Sequence, residues 1–76
     1  MNDAIAARLR AGHVLLRLPE VKARTGLSRS TIYLRIASGN FPSPIKLGER
    51  ASAWDSQEID TWIAARIAAR DEGAKA

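Results

Sequence analysis

The feature that most restricts the fold of this chain is a turn signal at Gly26-Leu27-Ser28, which separates two short helical segments. The first segment opens with Leu18-Pro19, and proline is favoured in the first turn of a helix, where its missing N–H has no partner to lose. Gly26 tolerates the left-handed backbone that ends a helix, and Ser28 is a preferred N-cap for the next one. The pattern predicts a helix-turn-helix.

The second helix is predicted from Ser28 to about Ser38, where Gly39-Asn40 and the prolines beyond it prevent its continuation. Successive side chains are rotated by about 100° around a helix. One side therefore carries Ile32, Tyr33 and Ile36, and the other carries Ser30, Thr31, Leu34 and Ser38. We expect the first side to pack on the core and the second to face outward.

A β-hairpin is predicted next. Two short segments, Ile45–Leu47 and Ala51–Trp54, flank a turn that contains Gly48 and Arg50. In a helix-turn-helix protein such a hairpin forms a wing beside the second helix. The predicted fold class is therefore mainly α with a small β-hairpin, a winged helix-turn-helix.

A closing helix follows the hairpin. Asp55 precedes Glu58 by three residues, which is the spacing of a capping box with Asp in place of the usual Ser or Thr. Ile59, Trp62, Ile63 and Ile67 then recur at helical spacing, and the first three of them, with Trp54, are predicted to be core. The helix is expected to end near Arg70, which leaves residues 71–76 as a flexible tail.

At the other end, residues 1–12 are predicted to form a short N-terminal helical extension that is capped by Asn2 or Asp3 and ends at Gly12. The apolar run Val14-Leu15-Leu16 is predicted to be extended and buried. The winged helix-turn-helix domain is therefore expected to span residues 13–70.

Positive charge is concentrated in the middle of the chain. Twelve Lys and Arg against eight Asp and Glu give a net charge of +4. The segment 17–50 contains only the acids Glu20 and Glu49, against the basic residues Arg17, Lys22, Arg24, Arg29, Arg35, Lys46 and Arg50. From residue 55 to residue 72 the acids outnumber the bases. The middle segment is therefore the part suited to an anionic partner.

Several classes of protein are not predicted. The chain has no Cys and a single histidine, His13, so we find neither a usual structural zinc site nor a nucleophile with its base, and we expect no enzyme activity, metal, cofactor or small-molecule substrate. Residues 1–12 lack the apolar stretch of a signal peptide, and no run of about 18 apolar residues occurs. The expected location is cytoplasmic, away from membranes.

A helix in the major groove reaches base edges with its first turns, while basic residues beside it meet phosphates. The residues placed to do so are Arg29, Ser30, Thr31, Tyr33 and Arg35 on the second helix and Lys46 and Arg50 on the wing. Helix pairs of this kind also occur in domains that bind no DNA, and a charge near a turn is often only solvated. Leu34 is open to three interpretations: a surface residue, a contact to a thymine methyl group, or part of a protein interface.

The motifs are linked in a recognisable order. They are LLRLPEV at 15–21, TGLSRSTIY at 25–33, GNFP at 39–42 and PIKLG at 44–48, followed by Arg50, Trp54, Ser56, Glu58, Ile59 and Trp62-Ile63. From about residue 15 to residue 66 the chain closely resembles the AlpA family of phage-type regulators. The resemblance implies a winged helix-turn-helix related to the MerR-type and excisionase domains, carried by prophages and integrative elements.

Members of that family regulate integrase or excision genes, or act as excisionases (recombination directionality factors) that bind and bend attachment-site DNA. By position, the resemblance assigns Arg29, Ser30, Thr31 and Tyr33 to the recognition helix and Lys46 and Arg50 to the wing. The family often has Arg after the Tyr, where this chain has Leu34. The expected partners are double-stranded DNA, further copies of the chain bound cooperatively, and integrase. The alternative is an adaptor that docks on integrase or a repressor without reading DNA.

Overall fold

A computed structural model describes residues 12–75 of the chain. In chain order the elements are β1 (Leu15–Leu16), α1 (Leu18–Thr25), α2 (Arg29–Ala37), β2 (Ile45–Gly48), β3 (Ala51–Asp55) and α3 (Ser56–Lys75). The predicted helix-turn-helix, hairpin and closing helix are all confirmed. The helix predicted before Gly12 lies outside the described residues.

The turn between α1 and α2 forms as the sequence predicts. Gly26 ends α1 with φ of 73°, in the left-handed region, and its N–H donates to the carbonyl of Lys22 at 2.8 Å. Ser28 is the N-cap of α2 and its Oγ accepts from the N–H of Thr31 at 3.2 Å. A side chain with a Cβ would be strained at this φ, which is why glycine suits the end of α1.

The strands form an antiparallel sheet in the order β1-β3-β2. Leu16 pairs with Trp54 at one edge of β3, and Lys46 pairs with Ser52 at the other, with an irregularity between Lys46 and Gly48. The hairpin is therefore joined to Val14-Leu15-Leu16, here called the lead-in segment, and the wing is anchored to the domain through β3.

The lead-in segment is less buried than the sequence predicts. Leu16 is fully buried, but Val14 and Leu15 are 55% and 46% exposed. Successive residues of a strand point to opposite faces, so only every second side chain of this run can reach the core. The prediction that the whole apolar run is buried was wrong for Val14 and Leu15.

The core lies where the sheet meets the three helices. Its buried members are Leu16, Val21, Ile32, Phe41, Trp54 and Ile59. The predicted core positions Trp54 and Ile59 are confirmed, while Trp62 and Ile63 are partly buried and pack against the cluster. The indole N–H of Trp54 donates to the carbonyl of Pro42 at 3.0 Å, which ties the hairpin to the segment that follows α2.

Asp55 begins α3 by a slightly different bond from the one predicted. Its Oδ1 accepts from the N–H of Gln57 at 3.3 Å, and its carboxylate also contacts the Nδ1 of His13 at 2.9 Å. The buried Ser56 accepts from the N–H of Val14 at 2.9 Å. The start of α3 is thereby fastened to the segment before β1.

The closing helix is longer than predicted, since α3 continues beyond Arg70 to Lys75. The residues after Arg70 include the strong helix formers Ala and Glu. Gly73 costs about 1 kcal/mol relative to Ala, but it does not block the helix as proline would. Within residues 12–75 no helix is long and apolar enough to cross a membrane.

Candidate nucleic-acid interface

The outward face of α2 is centred on Ser30 and Leu34. Leu34 is 70% exposed, and Ser30 is also exposed, one turn before it. Ile32, on the opposite side, is fully buried. The helix therefore presents an exposed surface with the hairpin on one flank and α3 on the other.

The hydroxyl groups at the start of α2 are held by the N-cap. Ser28 donates to the Oγ1 of Thr31 at 2.9 Å, and its Oγ lies 3.3 Å from the Oγ of Ser30. Because Ser28 donates its own proton to Thr31, the Thr31 hydroxyl keeps a proton that it can donate to another acceptor. The cap thus orients hydroxyl groups at the end of α2 where helix N–H groups also attract anions.

On the flank toward the hairpin, Arg29 and Tyr33 lie side by side. The Arg29 Cζ is 5.3 Å from the centre of the Tyr33 ring, within range of a cation–π contact. Tyr33 meets the buried Trp54 edge-on, with ring centroids 6.2 Å apart, and is itself 39% exposed. The core therefore supports the ring against which this guanidinium is held.

Between α2 and the hairpin lies a cleft of about 420 Å³, here called the wing-side cleft. Its lining residues are Arg17, Leu18, Pro19, Arg29, Tyr33, Arg50, Ser52 and Trp54. Three of these are arginines and none is acidic. None of the three arginines is ion-paired with another residue of the described range. Their positive charge is thus left for an external anion.

Lys46 belongs to the same side of the hairpin. It pairs directly with Ser52 across the antiparallel strands, and residues in direct register project to the same face of a sheet. Ser52 lines the wing-side cleft, so Lys46 extends the basic surface along β2. The structure thus gathers four of the predicted contact residues, Arg29, Tyr33, Lys46 and Arg50, on the flank of α2 that faces the wing.

Arg35 lies on the other flank. Its Cζ is 5.9 Å from the centre of the Trp62 ring, and Arg66 approaches the same ring at 5.8 Å. Both arginines line a second concavity of about 870 Å³, the closing-helix groove, which also includes the acids Asp55 and Glu58. The six-residue separation between Arg29 and Arg35 turns them to different sides of α2, so Arg35 is not part of the wing-side cleft.

Arg17 is the cleft residue that sequence reasoning missed. It was counted among the basic residues of the middle segment, but it precedes the helix-turn-helix in the chain and was assigned no contact. Pairing of Leu16 with Trp54 brings this position next to the hairpin. Arg17 directly follows a strand that pairs with the wing, and this position next to the wing can be recognised only once the strand pairing is known.

The arrangement is chemically suited to a polyanion. Guanidinium groups bind phosphate oxygens through paired N–H donors, and hydroxyls at a helix start add further donors. Within residues 12–75 no group of three or more His, Cys, Asp or Glu side chains is placed to hold a metal ion.

Helices α1 and α2 with their glycine turn, the β2–β3 hairpin beside α2 and the closing helix define a winged helix-turn-helix protein. A family model described as "Prophage CP4-57 regulatory protein (AlpA)" matches residues 14–67. The chain belongs to the AlpA family.

Two curated proteins illustrate the relationship. The chain is 50% identical over 58 residues to "Uncharacterized protein ORF88" of Enterobacteria phage P4. The aligned region covers 76% of this chain and 66% of that protein. The chain is 38% identical over 72 residues to "DNA-binding transcriptional activator AlpA" of Escherichia coli (strain K12). The aligned region covers 87% of this chain and 94% of that protein. The second relative is covered over nearly its whole length.

Proposed function

We propose that this protein binds duplex DNA sequence-specifically and regulates transcription, with α2 in the major groove and the β2–β3 hairpin along the neighbouring backbone or in the minor groove. The observation that carries the proposal is the wing-side cleft, whose lining includes three arginines from different parts of the fold and no acidic residue. The AlpA relative named as a DNA-binding transcriptional activator supports the same conclusion.

The two sets of contacts have different tasks. Arg29, Ser30 and Thr31 lie in the first turn of α2, the part of a recognition helix that meets base edges. Arg50 lies in the hairpin turn and Lys46 on β2, where they would neutralise phosphates. Base contacts set the preferred sequence, and phosphate contacts hold the protein in register.

The test is a gel shift on a duplex selected from a random library by the wild-type protein, beside a scrambled duplex of the same length. We expect Arg29→Ala to reduce the affinity for the selected duplex by about 10- to 100-fold, the range of one bidentate base contact. The ratio of the affinities for the selected and the scrambled duplex should fall as well. Arg50→Ala should weaken both duplexes to a similar degree, since a phosphate contact carries no base preference.

Wild-type affinity for the selected duplex in both variants would refute this placement of the DNA-facing surface. A wild-type protein that shifts no labelled duplex even at low salt would refute DNA binding itself. Arg70→Ala is the matched control, because Arg70 lies far along α3 and is paired with Asp71 at 2.9 Å.

Within DNA binding, we further propose that the protein acts as an excisionase, a recombination directionality factor that bends attachment-site DNA and directs integrase toward excision. The resemblance to the AlpA family, whose members include excisionases, supports this role. One winged helix-turn-helix domain contacts a short stretch of DNA, so bending over a longer span needs several copies bound at adjacent sites. We expect cooperative footprints over repeated sites on attachment-site DNA, with slower migration of centrally bent complexes. A single isolated footprint without a bend favours plain transcriptional regulation instead.

An adaptor that docks on integrase or a repressor is the alternative of a different class. The observation that favours it is Leu34, which is 70% exposed at the centre of the outward face of α2. Salt dependence separates the two functions, because binding through about six phosphates weakens by orders of magnitude between low and moderate salt. An adaptor would retain its protein partner in that range and would not shift labelled DNA.

A further inference from the structure

Arg17 combines a fixed backbone with an unengaged side chain. Its carbonyl accepts from the N–H groups of Glu20 at 3.0 Å and Val21 at 3.1 Å, so the backbone of Arg17 is the N-cap of α1. Its neighbour Leu16 is fully buried in β1. The guanidinium is exposed and has no ion pair among the described residues. The fold thus holds the backbone of Arg17 in place, while its guanidinium forms no ion pair with the described residues.

The surroundings of Arg17 point to an anion. It shares the wing-side cleft with Arg29 of the recognition helix and Arg50 of the hairpin turn, while apolar Leu18 and Pro19 form part of the wall. Like charges gathered on one surface repel each other, and a bound anion relieves that repulsion. Apolar walls exclude water and strengthen the interaction of a phosphate with the arginines.

We propose that Arg17 contacts a phosphodiester of the DNA backbone and that, with Arg50, it clamps the strand lying between the recognition helix and the wing. The inference deepens the proposed function and rests on it. Arg17 would thereby anchor the N-terminal side of the helix-turn-helix to the same strand that the wing follows. A planar guanidinium matches two phosphate oxygens at once, which favours this residue type at the position.

The side chain can be changed without disturbing the helix cap, because the cap bonds of Arg17 use only backbone atoms. The full chain carrying Arg17→Gln is compared with Arg24→Gln. Arg24 lies on α1, the helix that Arg17 caps, but outside the cleft, and its Nη1 is 3.4 Å from Asp60 of α3. The two variants lose the same charge from neighbouring parts of the chain, but only Arg17 lines the cleft, whereas Arg24 has a carboxylate partner.

Binding is measured on a duplex selected by the wild-type protein and on a scrambled duplex, over a series of salt concentrations. We expect Arg17→Gln to weaken binding to both duplexes by about tenfold, as for the loss of one charged hydrogen bond. The slope of log K against log salt should fall by about 0.9, one phosphate contact. Arg17→Lys should recover part of the affinity, and Arg24→Gln should stay within about twofold of wild type, as for an exposed pair.

Equal behaviour of Arg17→Gln and Arg24→Gln overturns the inference while leaving the proposed function intact, provided that Arg29→Ala still weakens the selected duplex. Failure of the wild-type protein to bind any duplex overturns both. Inorganic phosphate at constant ionic strength tests the other source of the same chemistry. If it raises the melting temperature of the wild type but not of Arg17→Gln, and Arg17→Gln binds DNA like wild type, the cleft is a site for free phosphate and the inference is overturned.

Discussion

The two flanks of α2 have similar numbers of arginines and opposite suitability for DNA. The wing-side cleft has Arg17, Arg29 and Arg50 and no carboxylate among its lining residues. The closing-helix groove has Arg35 and Arg66, but Asp55 and Glu58 line it with them. Its arginines also lie over the Trp62 ring. The charged lining residues of the cleft are therefore all positive, whereas those of the groove are of both signs.

The difference shows that the number of basic residues on a helix does not locate its binding surface. What matters is which neighbouring element faces each side. The hairpin turn brings an arginine and no acid to the cleft, whereas the end of β3 and the first turn of α3 bring Asp55 and Glu58 to the groove. Because a phosphate is attracted by the sum of nearby charges, we expect the first flank to attract DNA more strongly than the second.

The largest effect is expected from Trp54, which is 1% exposed and lies at the base of the wing-side cleft. Trp54→Ala should lower the free energy of unfolding by about 3–5 kcal/mol, the range for a buried aromatic, and abolish DNA binding as the fold is lost. Trp62→Ala, on the partly buried ring of the groove, should cost about 2 kcal/mol and preserve DNA binding. Urea unfolding of both variants measures the difference, and equal losses would contradict it.

A carboxylate placed in each concavity tests the charge difference directly. Ser52→Glu puts an acid among the arginines of the cleft, and we expect DNA affinity at low salt to fall by about 100-fold as phosphate contacts are neutralised. Thr61→Glu adds the same charge to the groove, where acids are already present, and should change affinity by less than about threefold, in the range of screened surface charges. Gel shifts of the two variants on one selected duplex decide between the flanks. A larger loss for Thr61→Glu would reverse the assignment.

The smallest effect concerns Leu34, which lies between the two flanks. Leu34→Arg supplies the arginine that the AlpA family often has after the tyrosine. It should tighten binding to selected and scrambled duplexes alike by a few-fold and steepen the salt dependence by about one phosphate contact. Stability should change by less than about 0.5 kcal/mol because the side chain is exposed. Fluorescence anisotropy at several salt concentrations measures the change, and weaker binding would indicate that Leu34 itself contacts DNA or a partner.

Most of the fold was accessible from the sequence because its signals are local. Pro19, Gly26 and Ser28 each act through their own backbone or side chain within one turn, so α1, α2 and the turn between them could be predicted. The end of α3 was misplaced because its last turns contain no strong stop signal. The exposure of Leu15 was missed because apolarity alone does not reveal which face of a two-residue strand meets the core.

The candidate DNA-contact residues lie on two different flanks of α2. Arg29, Tyr33, Lys46 and Arg50 were proposed from the helix, the hairpin and the family resemblance, and the structure gathers them on one flank, where their contacts with DNA stay a prediction. Arg35 was proposed with them because helical spacing gives the angle between two side chains but not the identity of the element that each one meets.

The sequence by itself determined the helix-turn-helix, the wing and the excess of positive charge in the middle of the chain, since each depends on neighbouring residues or on composition. Only the tertiary structure decided which side of α2 keeps that charge free. Pairing of β1 with β3 brings Arg17 to the hairpin, and the packing of β3 and α3 places Asp55 and Glu58 in one groove with Arg35. Both are contacts between residues far apart in the chain, and local propensity contains no information about them.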